Sequence, residues 1–261
     1  MPKASKLSEM VQEFHHNGVI FPLRVLSEEE THFYRKEFEQ IEKVFDEPLC
    51  YLRDLHIHLQ WAYDLCRHPK IIEIISQLLG DEICVMGSQI LTKYPQTNNY
   101  IPWHQDAIKN NWNDSMTVWL AISESNIENG CMQVIPETHL SLKHKHVPSP
   151  GENNIISYYN LQIEKEIDES KAVNLELKPG ELSVHHQNIF HRSKANLSSS
   201  KRIGFAIRFI NPKFTKNKDV IYLGNDKRYP TTENIKRPKV FQKKNDPEAY
   251  KAFLETRIFS S

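Results

Sequence analysis

Two segments decide the fold: MTVWLAI at residues 116–122 and NGCMQVIP at residues 129–136. The first has the apolar, β-branched character of a buried strand, and Asn-Gly is a tight-turn signal before a second strand. Further strands are predicted over residues 83–94, 173–177, 181–185 and 202–210, with a turn at 178–181. Many short strands separated by turns indicate a sandwich or a barrel. We therefore predict a mainly β protein with flanking helices, a double-stranded β-helix or jelly roll with N-terminal helices packed outside.

The N-terminal third has the patterns of helices. Predicted elements are a helix over 5–17 ended by Gly18, a strand at 19–22, a helix over about 28–45 and a helix from Pro69 to Gly80. Ser27 and Glu30 form a capping-box pattern at the start of the second helix. We predict one domain over 1–261, with a helical part over about 1–80, a jelly-roll core over about 81–212 and a basic segment over about 213–261.

Composition sets the broad class of this protein. The 261 residues are 39% hydrophobic, 10% aromatic and 25% charged, which is typical of a soluble globular chain and excludes overall disorder. No stretch predicts a membrane-spanning helix or a signal peptide, so we expect a cytoplasmic protein. The four cysteines are widely spaced and form no Cys-x-x-Cys pair, so reduced thiols are expected rather than disulfides or a zinc site.

Charge is unevenly distributed along a chain whose formal net charge is zero. Residues 201–261 contain 15 Lys and Arg against 6 Asp and Glu, so the preceding residues carry the matching negative excess. Such asymmetry indicates either an anionic partner or a basic tail that lies across the acidic body of its own domain. No nucleic-acid reader motif is present, so nucleic-acid binding is not predicted.

Most of the thirteen histidines have no partner at a useful spacing. We interpret histidines 15, 16, 32, 56, 58, 68, 144 and 146 as surface or core-edge residues. His104-Gln105-Asp106 differs, because residues i and i+2 of an extended segment point the same way and bring an imidazole and a carboxylate together. A third ligand on a later strand would complete a two-histidine, one-carboxylate iron site, and His191 is the natural candidate.

These motifs carry a resemblance to a known family. WHQD at residues 103–106 and the pattern His-x-Ser-x-x-Asn-x-Ser-x-x-x-Arg at residues 191–202 resemble the phytanoyl-CoA dioxygenase family of iron(II)- and 2-oxoglutarate-dependent oxygenases. Residues 129–139 resemble the family's NG-x-L-x-x-x-PGSH stretch, with Glu137 and Thr138 in place of Gly and Ser. The likeness spans about residues 83–210 and implies a cupin-like jelly roll.

The resemblance implies a role for each matched residue. His104, Asp106 and His191 would hold Fe(II), while Arg202 and Ser193 would bind the outer carboxylate of 2-oxoglutarate, which suits the planar fork of arginine. Gln89 and Trp119 match positions that line the co-substrate pocket. A surface position for Arg202 and a purely structural position for Trp119 are the alternatives.

The implied activity is hydroxylation of an unactivated C–H bond. In this family, O₂ and 2-oxoglutarate react to give succinate, CO₂ and an oxidant that removes a substrate hydrogen before hydroxyl transfer. Family members that halogenate lack the carboxylate ligand, so Asp106 counts against halogenation. The alternatives are desaturation or cyclisation with the same cofactors, a non-catalytic jelly-roll binding protein with a vestigial site, and a cupin-like protein that uses another divalent metal.

The substrate is predicted only as a class. The tail at residues 222–229 resembles the smaller bacterial-type members, which indicates an amino acid or an acyl group carried on a carrier protein or coenzyme A. Arg208 shares a strand face with Arg202 and would bind a substrate carboxylate or phosphate, or form an internal salt bridge. Asn110 lies on a predicted loop beside the first iron motif and is a second candidate contact. The oligomeric state is not readable from the sequence.

Overall fold

Helices lead the chain and strands follow. The computed structural model describes residues 2–45, 48–106, 115–141, 143–151, 153–155, 160–214 and 221–222, together with residues 248 and 251. Its helices are α1 Pro2–Asn17, α2 Glu28–Val44, α3 Leu55–His58, α4 Gln60–Cys66 and α5 Pro69–Leu79. None of these helices combines the length and the apolar character needed to cross a membrane.

Most strands after residue 83 alternate between two sheets along the chain. The described strands are β1 Val19–Arg24, β2 Tyr51–Arg53, β3 Cys84–Lys93, β4 Ile101–His104, β5 Ser115–Ala121, β6 Met132–Ile135, β7 His146–Pro148, β8 Leu161–Ile163, β9 Val173–Leu175, β10 Glu181–His186, β11 Phe190–Ser193, β12 Arg202–Ile210 and β13 Ile221–Tyr222. The major sheet has the order β1-β10-β5-β12-β3-β13, with β2 also paired to β3. The minor sheet has the order β4-β11-β6-β9, and β7 and β8 form a separate hairpin. This alternation of antiparallel strands confirms the predicted double-stranded β-helix.

Strand β5 of the major sheet has two buried faces with different partners. Val118 and Leu120 of β5 belong to an apolar core shared with α2, α4 and α5, whereas Trp119 and Ala121 belong to the core between the two sheets. This follows from the two-residue period of a strand, which sends successive side chains to opposite faces. The helices therefore cover the outer face of the major sheet, as predicted, and the inner face is free to build a cavity.

Local signals placed most element ends correctly. Gly18 ends α1 with a positive φ of 74°, and Ser27 and Glu30 make both hydrogen bonds of the capping box at the start of α2. The sequence analysis missed the helices α3 and α4 and gave no strand range for β2, β4, β7, β8, β11 or β13, because elements of two to seven residues are too short to show a clear period. β1 and β2 also belong to the major sheet, so the N-terminal part is more than a helical layer.

His56 corrects one sequence expectation. Its side chain is in the core rather than at the surface or its edge, and its Nδ1 lies 2.8 Å from the Ser88 Oγ. Burial lowers the pKa of His56 to about 3, so the ring is neutral at physiological pH. The single-domain division of the chain stays a prediction, because most of the segment from residue 213 onward lies outside the described residues.

At Gly204 of β12, the ring of Trp119 packs directly against the backbone of the major sheet. A Cβ at this position would overlap the indole of Trp119, which is itself buried. We expect Gly204→Ala to lower the free energy of unfolding by about 1–3 kcal/mol, since a buried ring must move to admit the methyl group. Urea denaturation followed by circular dichroism measures this.

Gly87→Ala is the matched control, because Gly87 lies on the neighbouring β3 and its Cβ would meet nothing closer than an Asp54 oxygen at 4.0 Å. We expect it to change the free energy of unfolding by less than about 1 kcal/mol. Equal effects of the two substitutions would show that the Trp119 contact does not require glycine.

Candidate metal centre

Two histidines and one aspartate converge inside the barrel. His104 ends β4 and His191 lies directly opposite it on β11, with their ring centroids 4.0 Å apart. The Oδ1 of Asp106 lies 3.9 Å from the Nε2 of His104 and 3.8 Å from the Nε2 of His191. The three potential ligand atoms all lie within 4.8 Å of one another. This is the facial set of two imidazoles and one carboxylate that suits iron(II) and leaves coordination positions open.

Both histidines are held in one tautomer by their own strands. The Nδ1 of His104 lies 2.9 Å from the Pro102 carbonyl oxygen, and the Nδ1 of His191 lies 3.1 Å from the Ile189 carbonyl oxygen. Because a carbonyl only accepts, each Nδ1 carries the hydrogen and each Nε2 presents its lone pair to the metal position. Burial lowers the pKa of both rings, which keeps them neutral and able to bind a cation.

Asp106 is fixed by a row of side chains from the major sheet. Arg208 on β12, Thr117 on β5 and His185 on β10 lie side by side at one level, and we call them the Asp106 row. The Arg208 guanidinium donates to Oδ1 at 2.9 Å and the Thr117 hydroxyl donates to Oδ2 at 2.7 Å. Burial alone would raise the pKa of Asp106, but Arg208 and the nearby histidines hold it well below its ordinary value. The carboxylate is therefore ionised and oriented.

His185 is the cavity residue that the sequence analysis missed. It is 1% exposed, its Nε2 lies 3.5 Å from the Asp106 Oδ2, and neither ring nitrogen has a hydrogen-bond partner in the described structure. The available signal was strand alternation, since Ser183 and His185 lie opposite Trp119 and Thr117 on β5. Because His186 directly follows His185, the sequence alone did not show which of the two side chains points into the barrel.

Arg202 and Ser193 lie in the same cavity with unused hydrogen-bonding capacity. Arg202 is 1% exposed, its guanidinium carbon lies 5.3 Å from the centre of the Trp119 ring, and one terminal nitrogen donates to the Gly130 carbonyl. The Arg202 Nε and the Ser193 Oγ are both buried without a partner. Such orphaned groups are costly unless a ligand pairs with them. The residues therefore fit an anion such as a carboxylate, and the surface alternative for Arg202 is wrong.

The remaining predicted residues have different outcomes. Gln89 and Trp119 both line the cavity, whose empty space including its mouth is about 460 Å³, and Trp119 also packs in the core between the sheets. Arg208 lines the cavity too, but its described contact is the ion pair with Asp106, which is the internal salt bridge among the alternatives. Asn110 lies outside the described residues. The individual roles of these four residues stay predictions.

The chain matches one family model and several curated proteins. Residues 14–204, nearly three quarters of the chain, match the model described as phytanoyl-CoA dioxygenase (PhyH). A Caenorhabditis elegans protein named phytanoyl-CoA dioxygenase domain-containing protein 1 homolog is 27% identical over 67% of this chain and 61% of its own length. A Stutzerimonas stutzeri protein named probable alpha-ketoglutarate-dependent hypophosphite dioxygenase is 27% identical over 70% of this chain and 64% of its own length. The chain spans less than two thirds of either relative.

Solved structures share the fold. The non-heme monooxygenase ThoJ superposes with a TM-score of 0.72 at 24% identity, covering 83% of this chain and 84% of its own. The epimerase SnoN, solved with Fe³⁺, alpha ketoglutarate and a nogalamycin compound, superposes with a TM-score of 0.67 at 18% identity, covering 80% of this chain and 84% of its own. At these identities the likeness establishes the architecture alone.

His191→Ala tests the metal centre. We expect the affinity for Fe(II), measured by anaerobic calorimetry, to fall by at least about 100-fold, since one of three ligands is removed. His186→Ala is the control, because this partly buried histidine of β10 does not line the cavity. Its Fe(II) affinity should stay within about threefold of wild type, a change of less than ~0.7 kcal/mol. Equal losses in both variants would contradict the assignment of His191.

Proposed function

This chain belongs to the phytanoyl-CoA dioxygenase family of iron(II)- and 2-oxoglutarate-dependent oxygenases, and from that premise we propose that it hydroxylates an unactivated C–H bond of a small metabolite. One observation carries the proposal. A single cavity holds an open-faced set of metal ligands together with two buried atoms that lack hydrogen-bond partners, the Arg202 Nε and the Ser193 Oγ. A non-catalytic binding protein with a vestigial site has no need to keep both the metal ligands and the pocket formed by Arg202 and Ser193.

Each group in the cavity has a defined task in this reaction. Iron(II) and 2-oxoglutarate, when bound with O₂, supply the oxidising chemistry that attacks a C–H bond. His104, Asp106 and His191 hold the metal from one side and leave the other side open to ligands. Arg202 and Ser193 pair with the outer carboxylate of the co-substrate. Trp119 lines the same cavity.

The Asp106 row gives the centre its rigidity. Arg208 and Thr117 each hold one oxygen of the carboxylate, so the metal ligand cannot rotate freely. Partners of this kind orient metal ligands and tune their basicity. Arg208 and Asn110 remain our proposed substrate contacts, and His185 joins them because it lines the cavity and its buried Nδ1 has no hydrogen-bond partner.

We propose an amino acid, or an acyl group tethered to a carrier protein or coenzyme A, as the substrate. The basic character of residues 201–261 supports an acidic carrier or a phosphate-bearing arm. A cytoplasmic location belongs to the same proposal. Desaturation and cyclisation use the same cofactors, and SnoN is named an epimerase, so the position of the substrate decides the outcome.

An anaerobic titration tests the cofactor chemistry. Wild-type protein loaded with Fe(II) should develop a weak visible charge-transfer band as 2-oxoglutarate is added. Arg202→Met should weaken 2-oxoglutarate binding by about 100-fold, since a buried charge-assisted contact is lost, and His191→Ala should abolish the band. Arg24→Met, which removes a partly exposed arginine paired with Glu181, should leave the titration unchanged. A folded, iron-loaded wild type without a band would overturn the oxygenase assignment.

A turnover screen tests the substrate class. Free amino acids and the same groups on a phosphopantetheine carrier should be compared by succinate release, and we expect at least one member to stimulate release about tenfold or more, because substrate completes the site. The product mass then separates the outcomes: one added oxygen atom for hydroxylation, two lost hydrogens for desaturation or cyclisation, and no change for epimerisation. Asp106→Ala supplies the background. A protein that binds 2-oxoglutarate but responds to none of these compounds would contradict the proposed class.

A further inference from the structure

A second buried cation lies beside Arg202. Lys93 is the last residue of β3, and its Cα pairs directly with that of Arg202 on β12. Lys93 is 0% exposed and Arg202 is 1% exposed. Lysine is almost never fully buried unless an anion pairs with it. Two adjacent, fully buried basic side chains therefore require an explanation.

Neither cation has a carboxylate partner. Within the part of the chain that the structure describes, no Asp or Glu lies within ion-pair distance of Lys93 or Arg202. Lys93 donates to the backbone carbonyl of Lys194, and Arg202 donates to that of Gly130. These neutral acceptors leave most of the donors of an ammonium and a guanidinium unused. The two side chains together therefore offer unused donors to an anion that enters the cavity.

The strand period places Lys93 on the cavity face. Gln89 and Leu91 both line the cavity, and Lys93 follows them at the next alternate position of β3. Cross-strand neighbours on one face have Cβ atoms about 5 Å apart. Lys93 therefore stands behind Arg202, outside the residues that line the cavity, at the end opposite the Asp106 row.

We propose that Lys93 acts with Arg202 as a second cation for the outer carboxylate of 2-oxoglutarate, and that it takes up a proton from solvent as this carboxylate enters. The inference rests on the proposed function and deepens it. Only one N–H bond forms in this step, and no redox chemistry accompanies it. Lys93 is thus a residue whose charge follows the occupancy of the co-substrate site.

The surroundings of Lys93 support this coupling. Burial first, and the Arg202 charge second, lower the pKa of Lys93 to about 5, so the amine is neutral at pH 7 in the empty cavity. The other ionisable groups nearby do not replace the anion. Burial raises the pKa of Cys131 to about 11 and that of Cys50 above its ordinary value, so both thiols are neutral, and the Lys194 side chain is exposed. An entering carboxylate favours the charged amine.

A purely structural lysine is the alternative. The hydrogen bond from Lys93 to Lys194 also anchors the backbone that follows Ser193, so its loss could disturb the site without any role for charge. The test therefore needs a measurement on wild-type protein that such an anchor does not affect. Proton uptake on ligand binding is that measurement.

Calorimetry of Fe(II)-loaded wild type, without O₂ and in two buffers of different ionisation enthalpy, counts the protons taken up. We expect 2-oxoglutarate to take up close to one proton more at pH 7 than 2-oxopentanoate, which has the same metal-binding end but a methyl group in place of the outer carboxylate. Because the charged amine is needed, the Kd for 2-oxoglutarate should rise by up to about tenfold per pH unit above pH 6. The Kd for 2-oxopentanoate should not follow this trend.

Variants separate the charge of Lys93 from its shape. Lys93→Met should bind 2-oxoglutarate about tenfold more weakly at pH 7 and lose the extra proton, whereas Lys93→Arg should keep tight binding without uptake. Lys194→Met, which removes an exposed neighbouring amine, should behave as wild type. Equal proton uptake for the two ligands in wild type would overturn the proposed role of Lys93 but not the proposed function. Failure of both ligands to give a chelate band would instead overturn the function on which it rests.

Discussion

The register of β11 against β4 is the constraint on which the rest of the site depends. It places His191 opposite His104, and a slip of one residue would send every side chain of β11 to the other face. The strand is locked from both sides, because β6 pairs with its second edge from Phe190 to Ser193. Arg192, the outward residue between His191 and Ser193, adds a clamp through its ion pair with Glu169 and its stacking on Trp103. Ordinary strand pairing thus fixes a metal centre.

The barrel interior concentrates charge that a hydrophobic core would exclude. Asp106, Arg208, Arg202 and Lys93 are all mostly or fully buried, yet only the first two form an ion pair with each other. A paired buried charge roughly balances its loss of hydration, whereas an unpaired one is costly. The two ends of the cavity therefore differ in kind. The end at Asp106 has its charge paired by Arg208 within the protein, and on the proposed function the 2-oxoglutarate carboxylate pairs with Arg202 at the other end.

The sequence predicted the parts of this site that follow a short-range rule. His104 and Asp106 share a face two residues apart, and Arg202 and Ser193 follow His191 at fixed family spacing, so the ligand set and the basic pocket were found. His185 and Lys93 were missed because their contacts depend on which strands become neighbours. Strand order cannot be predicted from the local hydrophobic pattern. Arg208 shows the same limit: its face was predictable, but its pairing with Asp106 required the fold.

The spacing of His191 and Ser193 has a consequence for the choice of co-substrate. Two residues of one strand span about 6.6 Å, and this length is set by backbone geometry rather than by flexible side chains. On the proposed function, His191 fixes the position of the metal and Ser193, two residues further along the strand, fixes the position of the outer carboxylate. A keto diacid one carbon shorter or longer than 2-oxoglutarate would leave one end mismatched. Discrimination among the keto acids of metabolism then comes from the pitch of a β-strand, which no side-chain substitution can easily change.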